Sequence, residues 1–187
     1  MGNKEGSLGQ LGGETAVVSG AYFAAILITF ELVPPLQSLI FPEYSSRASL
    51  LFLPHGVRVL SAWLLGWRAI PALLPGVIAT FLYVGGMDIL LPSRLFAIAI
   101  AVGTVPACFH LLRTLGFDLF PNRLRPPCWL CVMGVGIVTS LIIASLTNLA
   151  FGSDPVEAVA YLIGDVSGLF FGMLALLYAF RAFGRHL

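Results

Sequence analysis

Charge is what this chain of 187 residues has least of. Asp, Glu, Lys and Arg make up only 10% of it, against 58% hydrophobic residues. A soluble domain carries about 25% charged residues, and a water-facing fold of this composition would have a largely apolar surface. Lipid is the solvent that removes that difficulty. The ten basic and nine acidic residues nearly cancel, to a formal net charge of +1. They form no basic patch, so no nucleic-acid partner is expected. Cysteine is scarce as well: Cys108, Cys128 and Cys131 do not make a disulfide framework. Cys128-Trp129-Leu130-Cys131 has C-x-x-C spacing, but lacks the thioredoxin-like context or the further ligands that redox or metal chemistry needs. Its cysteines read as small apolar residues of a membrane helix. Missing too are a Gly-rich phosphate loop, a nucleophile elbow, an H-E-x-x-H pair and a hydrolase-type carboxylate pair. The chain is therefore expected to be non-enzymatic, with no catalytic residue, cofactor or metal. The amino end lacks the pattern of a secretory signal, and Gly6 stands where myristoylation needs Ser or Thr. Residues 1–15 read as a polar cytoplasmic tail.

What is abundant is long apolar sequence. A spanning helix needs about 20 predominantly apolar residues. Six candidates appear: 16–33, 48–67, 69–87, 93–115, 128–151 and 156–181. Pro34-Pro35 is expected to end the first, leaving 34–47 as a surface or re-entrant piece. Gly85-Gly86 with Pro92, then Pro121, Pro126 and Pro127, then Gly152-Ser153-Asp154-Pro155 separate the later ones. The second and third are joined only around Arg68, as an antiparallel hairpin. Basic residues favour the cytoplasmic side. With the amino end inside, Lys4, Arg68, Arg113, Arg123, Arg125, Arg181 and Arg185 lie inside and only Arg47 and Arg94 outside. Glu43, Asp88, Asp154 and Glu157 then mark the outer loops, and Trp67 and Trp129 fall near the inner interface. The expected fold is an all-α polytopic membrane protein of six transmembrane helices over 16–182, both termini cytoplasmic, with 183–187 a short tail.

Ionisable groups within a bilayer are expensive and are functional-site candidates by default. They are His55 and Arg58 in the second span and Asp165 in the sixth, with Glu31 near the outer end of the first and His110 nearer the inner end of the fourth. Arg58 and Asp165 each lie about ten residues, or roughly 15 Å, below the outer surface. An unpaired charge there is costly, so the two are expected to approach each other, directly or through water. Such a pair either locks two helices together or forms a polar site reached from outside, with His55 and Glu31 at its mouth. Leu53-Pro54-His55-Gly56 reads either as a proline kink or as a break facing a wet cavity. Gly164, Gly168 and Gly172 recur every fourth residue and present a smooth stripe for close helix packing beside Asp165. Gly20, Ala21, Ala24 and Ala25 offer a weaker version in the first span.

Pro54-x-Gly56, followed by Gly66, Pro71 and Gly76, resembles the first class of bacterial membrane-associated sensor domains, as does Gly164-Asp165-x-x-Gly168 late in the chain. The resemblance covers residues 48–180. It implies a polytopic module of the bacterial inner membrane that senses a signal, with Pro54, Gly56 and Asp165 as the positions carried over. The family commonly has about eight helices and an attached output domain; here nothing after residue 181 is long enough for one. Signalling is therefore expected to pass through a protein partner. Two other readings stay open. One is the substrate-binding component of a small-molecule, vitamin-type importer, alike in size and topology only, with a small-molecule ligand. The other is an assembly subunit of a larger membrane complex. Membrane lipid is a partner in all three.

Overall fold

Proline and glycine punctuation decides where the helices begin and end. The computed structural model of the protein describes residues 3–40, 49–86, 90–122, 126–151 and 155–183. Regular structure among them is helical: α1 (Asn3–Leu27), a π-helical turn (Ile28–Leu32), α2 (Val33–Ile40), α3 (Leu53–Leu65), a 3₁₀ turn (Gly66–Arg68), α4 (Ala69–Gly85), α5 (Pro92–Thr114), α6 (Trp129–Phe151) and α7 (Pro155–Phe183). Five helical stretches are long and apolar enough to cross a membrane: Gly9–Leu36, Leu53–Val84, Pro92–Thr114, Trp129–Leu146 and Tyr161–Arg181.

Two expected boundaries are corrected. The first helix does not stop at Pro34-Pro35. A proline ring clashes with the carbonyl four residues back, and the π turn at Ile28–Leu32 widens the backbone just before the prolines, with Val33 N–H bonding to Ile28 O. The helical path thus passes through residues 34–40. The second stretch is helical only from Leu53, giving α3 thirteen residues. At ~1.5 Å per residue that is about 20 Å, short of a ~30 Å hydrocarbon core. Pro54 sits in the first turn of α3, where its missing N–H costs nothing, and so kinks no helix.

α3 ends at Gly66, whose φ of 58° suits a residue without Cβ, and α4 ends at Gly86 with φ 62°. Between them the chain reverses: Arg58 before the turn and Thr80 and Val84 after it line one cavity. α1 and α4 run the same way. Glu14, near the middle of α1, meets Arg68 just before α4 at 2.9 Å, and Tyr83 near the end of α4 donates to Glu31 in the π turn that follows α1. Midway, the Ser19 hydroxyl donates to Ala72 O at 2.7 Å and accepts from Gly76 N–H at 3.0 Å. A Cβ on Gly76 would come within 2.8 Å of Ser19 O. α3 and α7 also run parallel, Gly164 over Ser49, Gly168 over Phe52 and Gly172 over Gly56. The bundle is centred on α3, nine of whose thirteen residues are buried. Val59, Leu73, Val77, Val105, Phe109 and Leu169 form the core around it. Outward, Leu39, Leu82, Leu111, Leu130 and Tyr178 are exposed, as lipid-facing side chains should be.

Glu43, Arg47, Asp88, Arg123, Arg125, Asp154 and Arg185, which carry much of the expected orientation, lie outside the described residues, and the side chains of Lys4 and Glu157 are likewise not described. Trp67 stacks on His110 at 4.5 Å and Trp129 lies 5.4 Å from Trp63, both at the end of the bundle holding the Gly66–Arg68 turn. Gly20, Ala21 and Ala24 face outward, and no atom lies within 4 Å of where a Gly20 Cβ would stand.

Candidate functional site

The segment Ser49–Phe52 is not helical, yet it lies against α7 inside the bundle. Its backbone groups cannot be left bare in a lipid-like medium. Phe52 N–H bonds to Gly164 O at 2.8 Å, Leu50 O accepts from the Ser167 hydroxyl, and Leu53 N–H reaches Thr29 Oγ1 at 3.3 Å. This close seat requires the glycine stripe: a Cβ on Gly168 would overlap Phe52 O, and one on Gly164 would overlap Ser49 O. The seat brings the first turn of α3 to the level of Asp165 on α7.

There Asp165, 8% exposed, accepts a short hydrogen bond of 2.5 Å from the Ser140 hydroxyl on α6. His55 is fully buried. Its Nε2 stands 3.1 Å from Gly136 O and its Nδ1 3.6 Å from the same Asp165 Oδ2. A carbonyl only accepts, so the Nε2 contact places a proton on Nε2. Nδ1 then faces a carboxylate across a gap slightly too wide for a hydrogen bond, and has no other partner among the described residues. A second proton, on Nδ1 or on the carboxyl, would make this contact favourable; without it, two lone-pair groups face each other.

Arg58 is not part of that contact. Among the described residues its guanidinium has no carboxylate within ion-pair distance, and its Nε is buried without a hydrogen-bond partner. The expected approach of Arg58 to Asp165, direct or through water, does not take the form of a direct ion pair. His55, three residues earlier on α3, takes the carboxylate. Arg58 instead turns toward the Phe52 ring, 5.8 Å from its centroid, in a cavity between α1, α4 and α5. Glu31 does not join the cluster: it lies exposed in the π turn, bonded to Tyr83 Oη at 2.8 Å.

The two C-x-x-C cysteines are also corrected. Cys128 and Cys131 form a disulfide, their Cα atoms 5.2 Å apart across the start of α6, a separation that suits one. Cys108 is free. No group of three potential metal ligands occurs among the described residues. Sequence reasoning missed Ser140, Thr29 and Tyr22. Hydroxyls in apolar helices ordinarily bond their own backbone four residues back, as Thr80 does with Gly76 O, so nothing in the sequence marks the few that reach across.

Comparison with known proteins returned no match at any level: no family model, no curated sequence and no solved structure.

Proposed function

We propose that this chain is a non-enzymatic membrane module of the sensor type, crossing the bilayer six times with both ends in the cytoplasm and acting through a protein partner. The observation that carries the reading is the His55–Asp165–Ser140 cluster, a carboxylate and an imidazole buried together where three helices meet. A purely structural link would be served by apolar packing at less desolvation cost. Here one buried imidazole–carboxylate contact of 3.6 Å joins α3 to α7, so a change at that contact bears directly on how the two helices sit. α7 continues about 27 Å beyond Asp165 to Phe183, so a small displacement at the cluster reaches the cytoplasmic end through a single rigid element. The inward bias of Lys and Arg in the sequence supports the orientation.

The test is crosslinking mass spectrometry in native membranes on the wild type and on Asp165→Asn, which keeps the shape and the Ser140 bond. A sensor module should show a partner whose crosslinking yield to the α7 end changes at least about threefold (~0.65 kcal/mol) in the variant. A partner recovered in equal yield and fixed ratio from both proteins would overturn the sensor reading in favour of an assembly subunit.

A further inference from the structure

Arg58 lines a cavity of about 270 Å³ whose other walls are largely apolar, among them Phe30, Phe52, Phe81 and Ile100. It is the one charged residue among the described lining residues, and it is 6% exposed with no ion pair or hydrogen bond from its guanidinium to any described residue. A buried cation without an anion is expensive. The cavity has two other polar side chains, Tyr22 and Thr80. The Thr80 hydroxyl is spent on Gly76 O at 2.9 Å. The Tyr22 hydroxyl makes no hydrogen bond to a described residue. Two donor-bearing residues, Arg58 and Tyr22, thus line a space that offers an occupant one positive charge and otherwise largely hydrocarbon.

From this geometry we infer that the cavity binds a single-chain carboxylate amphiphile, of the fatty-acid class, with its head between Arg58 and Tyr22. A monoanion matches the single cation, and an acceptor-only head matches a wall of donors. The walls admit only an apolar body. The volume lies just below the usual ligand-pocket range of ~300–1,000 Å³, so head and first methylenes fit and the rest of the chain must leave. An exit exists: Phe30 is 45% and Val84 60% exposed at the rim, on the lipid-facing side. Depth argues against a diacyl phospholipid. Ala97 and Ala101, on the wall, lie roughly 8–14 Å inside α5 from Pro92, below the level at which a phosphate headgroup rests. The inference names a ligand for the Arg58 side of the proposed site. Its place in sensing rests on that reading, while the binding itself does not.

The experiment is binding of radiolabelled dodecanoate to the full-length purified chain in neutral detergent, with unlabelled competitors. Saturable binding is expected, displaced by dodecanoate and at least about tenfold more weakly by dodecanol, which has the same chain without the charge. Arg58→Gln should weaken binding by at least about tenfold and Tyr22→Phe by about threefold. Ala97→Phe, which fills the cavity and leaves Arg58 in place, should abolish it, and decides the matter if Arg58→Gln does not fold. Equal competition by dodecanol, or undiminished binding in Ala97→Phe, would overturn the inference. So would stronger competition by a lysophospholipid, which would assign the cavity to phosphate headgroups, or by chloride, which would make it a simple anion site. Asp165→Asn, which removes an acidic group from outside the cavity lining, should bind dodecanoate no more weakly than the wild type. Lost binding with an intact Asp165-dependent partner response defeats only the ligand assignment, and the reverse result defeats only the sensor reading.

Discussion

Asp165 and Arg58 are the acidic and the basic group buried in the bundle, Asp165 level with the start of α3 and Arg58 deeper along it, and the protein treats them in opposite ways. The carboxylate is enclosed: Ser140 donates to it, His55 faces it, and the glycine stripe of α7 clamps the start of α3 beside it. The guanidinium has no ion pair with a described residue, its Nε has no hydrogen-bond partner there, and it faces the Phe52 ring and an open cavity. A satisfied buried group contributes to holding helices together, whereas an unsatisfied one costs stability and persists only where something else favours it. The contrast separates a structural centre from a receptive one, with His55 of the first and Arg58 of the second less than one helical turn apart on α3.

The largest expected effect lies on the enclosed side. Gly168→Val would drive a branched side chain into the Phe52 carbonyl and the Leu53 amide. Neither can yield without unseating α3, so a loss on the order of 3 kcal/mol or more is expected. Gly20→Val, where nothing stands within 4 Å, should change stability little. Thermal unfolding of both variants in detergent checks the difference. Next come the charges themselves. Asp165→Leu strands the Ser140 hydroxyl and leaves His55 without its carboxylate, and should cost about 2–3 kcal/mol. Arg58→Leu removes an unpaired buried cation, and should be neutral or stabilising by about 1 kcal/mol in lipid-free detergent. Equal destabilisation by the two substitutions would erase the contrast.

Much of the fold was legible because helix punctuation is local. Gly85-Gly86 and Pro92 delimit α4 and α5, and the joint around Arg68 marks the turn between α3 and α4, both from residue chemistry alone. Pro34-Pro35 misled because a π turn upstream absorbs the clash, a choice the neighbouring residues do not announce. The late start of α3 was hidden for a different reason. Phe52 is held out of the helix by Gly164 on α7, more than a hundred residues away, and no local pattern encodes that capture. Within the site, His55, Arg58 and Asp165 stood out because ionisable groups are rare in apolar runs. Their pairing did not, since sequence position gives depth along a helix and says little about which way a side chain turns across the bundle. His55 and Arg58 are neighbours on α3, and only the packing of α6 and α7 decides which of them meets the carboxylate.

That distinction can be measured as the smallest of the expected effects. In a double-mutant cycle of His55→Ala with Asp165→Asn, the two groups face each other, and a coupling of about 1–2 kcal/mol is expected from chemical unfolding in detergent. The matching cycle of Arg58→Gln with Asp165→Asn should give less than about 0.5 kcal/mol, because no contact exists to lose and only a longer-range attraction remains. A reversed order, with Arg58 coupled more strongly than His55, would mean that water joins the guanidinium to the carboxylate in the membrane. The enclosed centre and the receptive cavity would then be one site, and a carboxylate ligand at Arg58 would have to compete with Asp165 for the same charge.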